Sequence, residues 1–276
     1  MTNNLKRITF FLLMTALFLF LCGCSDAGDI TIQEKEDEAV TDITQATVTS
    51  ELPSQNVSEP VIEEDNYKYV AFTFDDGPHN EITKKIVDTL NSYDGHATFF
   101  VVGDRINETS AKTIKYAADN GNEIGMHSFT HKHYFDKCDD IMYEQEIKYT
   151  YNRLSSYAGV KSTLLRPPGG LMSAERISAS PYAVILWSVD SLDWRYKTAE
   201  NEEMKATNIQ TIVDNVLSTV SDGDIILMHD IYENTYLAFR IIAEALYNDG
   251  YRFITVSELL GDSIRSGAKF HSAVLN

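Results

Sequence analysis

Tyr69-Val70-Ala71-Phe72-Thr73-Phe74 runs straight into Asp75-Asp76-Gly77-Pro78. Six residues rich in aromatic and β-branched types predict a buried strand, and the Asp-Asp-Gly-Pro that follows ends it. From Glu81 to Tyr93 the apolar residues return at helical spacing, so the unit is a strand, a turn bearing two carboxylates and an amphipathic helix. The same alternation recurs along the chain. Further strands are predicted at Ala97–Val102, Glu123–Met126, Thr163–Leu165, Ala183–Val189, Asp224–Met228 and Arg252–Val256, which makes seven with the first. Helices are predicted at Ser110–Asn120, Ile141–Tyr157, Ile209–Val220 and Tyr236–Asn248. Strands separated by helical crossovers run parallel, so the class is α/β, either an open doubly wound sheet or a barrel.

In both architectures functional groups gather at the C-terminal ends of the strands. Phe74 is followed by Asp75-Asp76, Met126 by His127-Ser128-Phe129-Thr130-His131, and Leu165 by Arg166-Pro167-Pro168-Gly169-Gly170. Val189 is followed by Asp190-Ser191-Leu192-Asp193-Trp194, and Met228 by His229-Asp230. Five strands thus deliver acidic, basic and imidazole groups to one edge, which packing does not require.

An acidic pair before Gly-Pro is common in turns, and two histidines four residues apart are common by chance. Together, one carboxylate and two imidazoles form the facial set of an open catalytic cation, with positions left for water and substrate. Asp76, His127 and His131 are therefore the candidate metal ligands.

These five segments, in this order, resemble the motifs of the NodB-homology polysaccharide deacetylases, carbohydrate esterase family 4. The resemblance covers roughly Tyr67 to Leu260 and implies a distorted (β/α)7 barrel. It implies that Asp75 is the general base and His229 the general acid. Arg166 would orient Asp75, and Asp190 would hydrogen-bond His229 and raise its proton affinity. The backbone N–H of Gly169 would face the oxyanion, and Trp194 and Leu227 would line the acetyl pocket. Gly169 is a departure, because the family commonly carries an aromatic residue there. The backbone donor survives that change, but one wall of the pocket does not. The implied cofactor is one divalent ion, zinc by default, with cobalt, nickel or manganese also suited to this donor set.

With 276 residues, 43% of them hydrophobic, the chain can bury one large catalytic core, expected at 67–276. The formal charge of −18 argues against nucleic acid, whose phosphates need clustered Lys and Arg. Much of that charge sits in residues 25–66, which hold twelve acidic residues, one lysine and no aromatic residue. Such a segment cannot bury a core and reads as a disordered, self-repelling tether. Before it, Lys6 and Arg7 precede an apolar run that ends in Leu21-Cys22-Gly23-Cys24, which reads as an export segment and resembles the bacterial lipobox. Cys24 is then the lipidated residue, anchoring the protein to the outer face of the bacterial cytoplasmic membrane.

The expected reaction is hydrolysis of N-acetyl groups on a cell-wall polysaccharide, with peptidoglycan N-acetylglucosamine as the first candidate. Chitooligosaccharide or acetylxylan is the alternative. A glycan-binding lipoprotein without activity is the alternative of another class, and it would lack the base, a ligand or the acid. All of these are present.

Overall fold

The computed structural model describes residues 66–273. Cys24, the export segment and the tether up to residue 65 lie outside the described residues. No helix among the described residues is long and apolar enough to cross a membrane.

Strand β1 (Lys68–Asp75) is the centre of the sheet. It is followed by α1 (Ile82–Asn91), β2 (Thr98–Val101), α2 (Ser110–Asp119), β3 (Glu123–Met126) and α3 (Asp140–Arg153), which a π turn extends over Leu154–Ala158. Next come β4 (Leu164–Leu165), the short α4 (Ala174–Ala179), β5 (Ala183–Ile185) and β6 (Val189–Asp190). Then α5 (Glu202–Leu217), β7 (Ile225–His229), α6 (Glu233–Asn248), β8 (Tyr251–Phe253), α7 (Val256–Leu260) and β9 (Lys269–Phe270) complete the fold.

The strand pairings within the sheet are parallel, in the order β6-β7-β1-β2-β3-β4-β5-β9, and β8 pairs with the lower half of β1. The expected strand Ala183–Val189 is divided. Its first half pairs with β4 and its second with β7, at opposite ends of the sheet, and Leu186-Trp187-Ser188 spans the turn between them. The chain itself therefore carries the curled sheet around toward closure, which gives a distorted (β/α) barrel. The expected strand Arg252–Val256 is shorter than predicted. It ends at Phe253 because Thr255 caps a helix: its side chain accepts from the Glu258 N–H, while the Glu258 side chain accepts from the Thr255 N–H.

Alternation along β1 sorts its side chains. Phe72 and Phe74 face outward into a core with Phe99, Phe239 and Phe253, where Phe74 meets Phe239 edge-on at 5.3 Å between ring centroids. Rings so buried contribute roughly 1.5–3 kcal/mol each. Ala71 belongs to a second cluster with Phe100, Leu164, Ala183, Ile185 and Ile225, the barrel interior, closed below by Val256, Leu259 and Leu260 of α7. Thr73 and Asp75 continue that inward series by the period of two. The fold thereby aims Asp75 up the barrel axis, and Asp76, one residue later, falls on the rim.

Candidate active site

Three of the site residues leave the rim through left-handed backbone: Asp76 (φ 71°), Ser128 (φ 72°) and His131 (φ 58°). Such conformations cost a non-glycine residue free energy, and here they turn the chain back over the barrel mouth. The loop that carries the two histidines is clamped from both sides. Glu146 of α3, itself buried, accepts from the N–H groups of Phe129 and Thr130 at 2.7 Å each and from the Thr130 hydroxyl at 2.6 Å. The carbonyls of Ser128 and Phe129 accept from the N–H groups of Gly103 and Asp104.

Asp76, His127 and His131 each offer a ligand atom within 4.8 Å of the others. Nδ1 of His127 lies 2.8 Å from the Arg166 carbonyl. A carbonyl only accepts, so Nδ1 carries the proton and the lone pair stays on Nε2, toward the carboxylates. That Nε2 is 3.7 Å from Oδ1 of Asp76, and Nε2 of His131 is 3.4 Å from the same oxygen. Burial lowers the pKa of His127, so the ring is a neutral ligand. Burial acts to raise the pKa of Asp76, but the positive charge that His127, His131 and His229 carry when protonated, together with that of Arg105, acts the other way and the net direction is down. Oδ1 of Asp76 is buried without a hydrogen-bond partner. A buried carboxylate oxygen facing the Nε2 atoms of two imidazoles suits a divalent cation, and the donor set fits one.

Asp75 lies beside this cluster, with Oδ2 3.6 Å from Nε2 of His127. Its other oxygen accepts from Nη1 of Arg166 at 2.8 Å. Arg166 is fully buried inside the barrel. Its remaining donors reach Thr73 Oγ1 and the carbonyls of Ile185 and Leu186, and its guanidinium lies over the Phe100 ring at 4.2 Å. So many partners offset the cost of burying the pair, and they fix the Asp75 carboxylate in one orientation.

His229 ends β7 across the cleft. The residue that holds it corrects the expectation drawn from the resemblance: it is Asp193, not Asp190. Oδ1 of Asp193 is 2.7 Å from Nδ1 of His229, and Oδ2 accepts from the His229 N–H at 2.8 Å and from the Thr235 hydroxyl at 2.6 Å. Asp190 is still on its strand and spends its carboxylate on the N–H of Leu192. Leu192 then adopts left-handed backbone (φ 56°) and returns the chain, which brings Asp193 beneath His229. Burial pushes the His229 pKa down, but the Asp193 carboxylate and the charges of Asp75 and Asp76 prevail and raise it to about 9.

Asp75, Asp76, His127, His131, Gly169, Asp190, Trp194, Leu227 and His229 all line one cleft of about 430 Å³. Arg166 supports it from below. Two further lining residues, Tyr134 and Trp187, were not anticipated, and neither was Glu146. A half-buried Cys138 stands apart, beside Arg176.

Fold and site together define a (β/α)-barrel protein with a two-histidine, one-carboxylate cluster that could hold a metal ion. Residues 63–182 match the family described as polysaccharide deacetylase, and the chain belongs to that family. It is 37% identical over 211 residues to the peptidoglycan-N-acetylmuramic acid deacetylase PdaC of Bacillus subtilis, an alignment covering 75% of this chain and 41% of that protein. It is 33% identical to a peptidoglycan-N-acetylglucosamine deacetylase of Bacillus cereus, covering 71% of this chain and 89% of the relative. Among solved structures, a family 4 acetyl xylan esterase from Clostridium thermocellum, in complex with a cobalt ion, superposes with a TM-score of 0.66 at 30% identity, over 75% of this chain and all of that one. The matched region spans less than half the length of the Bacillus subtilis relative.

Proposed function

We propose that this chain is a metal-dependent deacetylase that hydrolyses N-acetyl groups of a cell-wall polysaccharide, with peptidoglycan N-acetylglucosamine as its substrate. The reading is carried by one juxtaposition: a carboxylate locked by Arg166 and an imidazole locked by Asp193 flank the Asp76, His127 and His131 centre in one cleft. A divalent cation, zinc by default, when held by those three residues supplies a Lewis acid at the acetyl carbonyl and the attacking water.

Asp75 takes the proton of the attacking water, a role that suits a carboxylate whose orientation Arg166 fixes. His229 delivers a proton to the departing nitrogen as the C–N bond breaks, leaving acetate and a free amine. Asp193 keeps that imidazole charged until then. The Gly169 N–H faces the oxyanion, and losing a donor of this kind costs on the order of 100- to 1000-fold in rate. Trp194 and Leu227 bound the acetyl group, and Asp190 shapes the same wall without touching the acid.

The reading extends to the remainder of the chain. The 67–276 region is the catalytic domain, 25–66 its tether, and lipidated Cys24 the anchor outside the bacterial cytoplasmic membrane, where peptidoglycan lies. Acetate release from peptidoglycan, chitooligosaccharide and acetylxylan, measured side by side, tests the assignment. Peptidoglycan should be preferred, and the amino sugar freed should be glucosamine. Release of muramic acid amines, or preference for acetylxylan, would move the substrate. Asp75→Asn should keep the cation and lose turnover; unchanged turnover would remove Asp75 from the base role.

A further inference from the structure

Gly169 leaves a gap in the cleft, and the structure places a ring from elsewhere in it. Gly169 has φ 60° and Gly170 φ 72°, both in the region that glycine enters without penalty. A Cβ on Gly169 would meet Cε1 of Tyr134 at 3.1 Å, and a Cβ on Gly170 would meet Cη2 of Trp187 at 3.1 Å. Two aromatic rings therefore approach the bare backbone of the glycine pair. Tyr134 follows the second histidine by three residues and belongs to a different loop from Gly169.

The Tyr134 loop is built to stay against the glycine loop. Phe135, fully buried, forms a parallel β-bridge with Met172, just past the glycines. Arg176 donates to the carbonyls of Phe135 and Cys138 at 2.7 Å each. The Tyr134 carbonyl accepts from the N–H groups of Lys137 and Cys138. Yet Tyr134, whose backbone these contacts anchor, keeps half its surface open, 50%, in the cleft that also holds the 42%-exposed Trp194. An aromatic ring on a held backbone, with an open face beside this centre, offers an apolar plane on which the C–H face of a pyranose ring can lie.

We infer that Tyr134 is a specificity-determining residue of the cleft: its ring, seated on Gly169, forms the wall against which the glycan is held. This rests on the deacetylase reading for the identity of the ligand, and its test separates the two. In an Asp75→Asn background, where turnover is off, binding of tetra-N-acetylchitotetraose is measured by calorimetry with and without Tyr134→Ala and Tyr134→Phe. The alanine variant should bind about 3- to 10-fold more weakly, and the phenylalanine variant should bind as the parent does. In the otherwise native chain, Tyr134→Ala should raise KM more than it lowers kcat. Folding of each variant is read from a thermal shift on adding zinc. Parental affinity in the alanine variant, or equal loss in the phenylalanine variant, overturns the stacking wall. A native chain that releases no acetate while Tyr134 still governs binding overturns the deacetylase reading and leaves the wall standing.

Discussion

Asp193 grips His229 twice, through the ring Nδ1 and through the backbone N–H, so one carboxylate sets both the orientation of the imidazole and its charge. The charge is the testable part. Burial alone would discharge the ring, and the acid works only while protonated. Asp193→Asn removes the main counterweight to burial, so the His229 pKa should fall and the alkaline limb of kcat/KM should move down by about one pH unit or more. Asp190→Asn, remote from the imidazole's hydrogen bonds, should move that limb less. A pH–rate profile of both variants decides between the two carboxylates.

Glu146 should matter to the cation although it touches none of the ligands. It satisfies two backbone N–H groups and a hydroxyl in the loop between His127 and His131, and so fixes the separation of the imidazoles. Outer partners of this kind are worth about 10- to 100-fold in metal affinity. Glu146→Ala should weaken zinc binding by that order in a competition titration against a chromophoric chelator, and Glu146→Gln, which keeps one acceptor, should recover part of it. Equal affinities would mean that the loop holds its shape through Gly103 and Asp104 alone.

How far the sequence foretold this site follows from what local pattern encodes. β3 appears at its predicted bounds, and β1 extends one residue beyond its own at each end, because both are apolar runs ended by polar, chain-turning residues. The run from Ala183 to Val189 carries no such mark where it bends at Trp187, since both halves are apolar and only their partners differ. β9 has two residues and is defined by its pairing with β5, which no periodicity announces. The candidate metal ligands were legible because Asp76 and His127 directly follow β1 and β3, and His131 lies four residues beyond His127 in the same loop. Asp190 and Asp193 were both visible as acidic residues on one turn, but which of them reaches His229 depends on the backbone of Leu192. Tyr134, Trp187 and Glu146 reach the site from other segments, and only the assembled barrel brings them there.

Asp230 predicts a pH dependence of stability. It is fully buried below Gly77, where a Cβ would collide with its carboxyl group, and the Thr83 hydroxyl donates to it. Burial, helped by the charges of Asp76 and Asp75, raises its pKa from 3.8 to about 7. The folded state therefore holds a proton that the unfolded chain releases. Stability from this group is full below about pH 4 and is lost as pH rises through about 7, an effect of at most about 4 kcal/mol. In the presence of chelator, Asp230→Asn should flatten the decline of Tm between pH 4 and 7 and exceed the parent above it. Parallel curves would show that Asp230 is ionised in the fold.

The cation should stabilise the fold, because Oδ1 of Asp76 is buried with no hydrogen-bond partner. A cation binding there satisfies that oxygen, and the unfolded chain offers no such cluster, so the binding free energy adds to folding. At a zinc concentration 1000 times Kd the gain is about 4 kcal/mol. For a domain of this size that corresponds to a rise in Tm of about 8–16 °C. Chelator should remove the rise, and His127→Ala should abolish it. Asp76→Asn is the sharper variant: the amide keeps the shape and removes the charge, so its response to zinc should be lost, while its metal-free form should be no more stable than the parent's because the ionised carboxylate is favoured in the fold. A zinc-induced rise that survives in Asp76→Asn would place the cation elsewhere in the molecule.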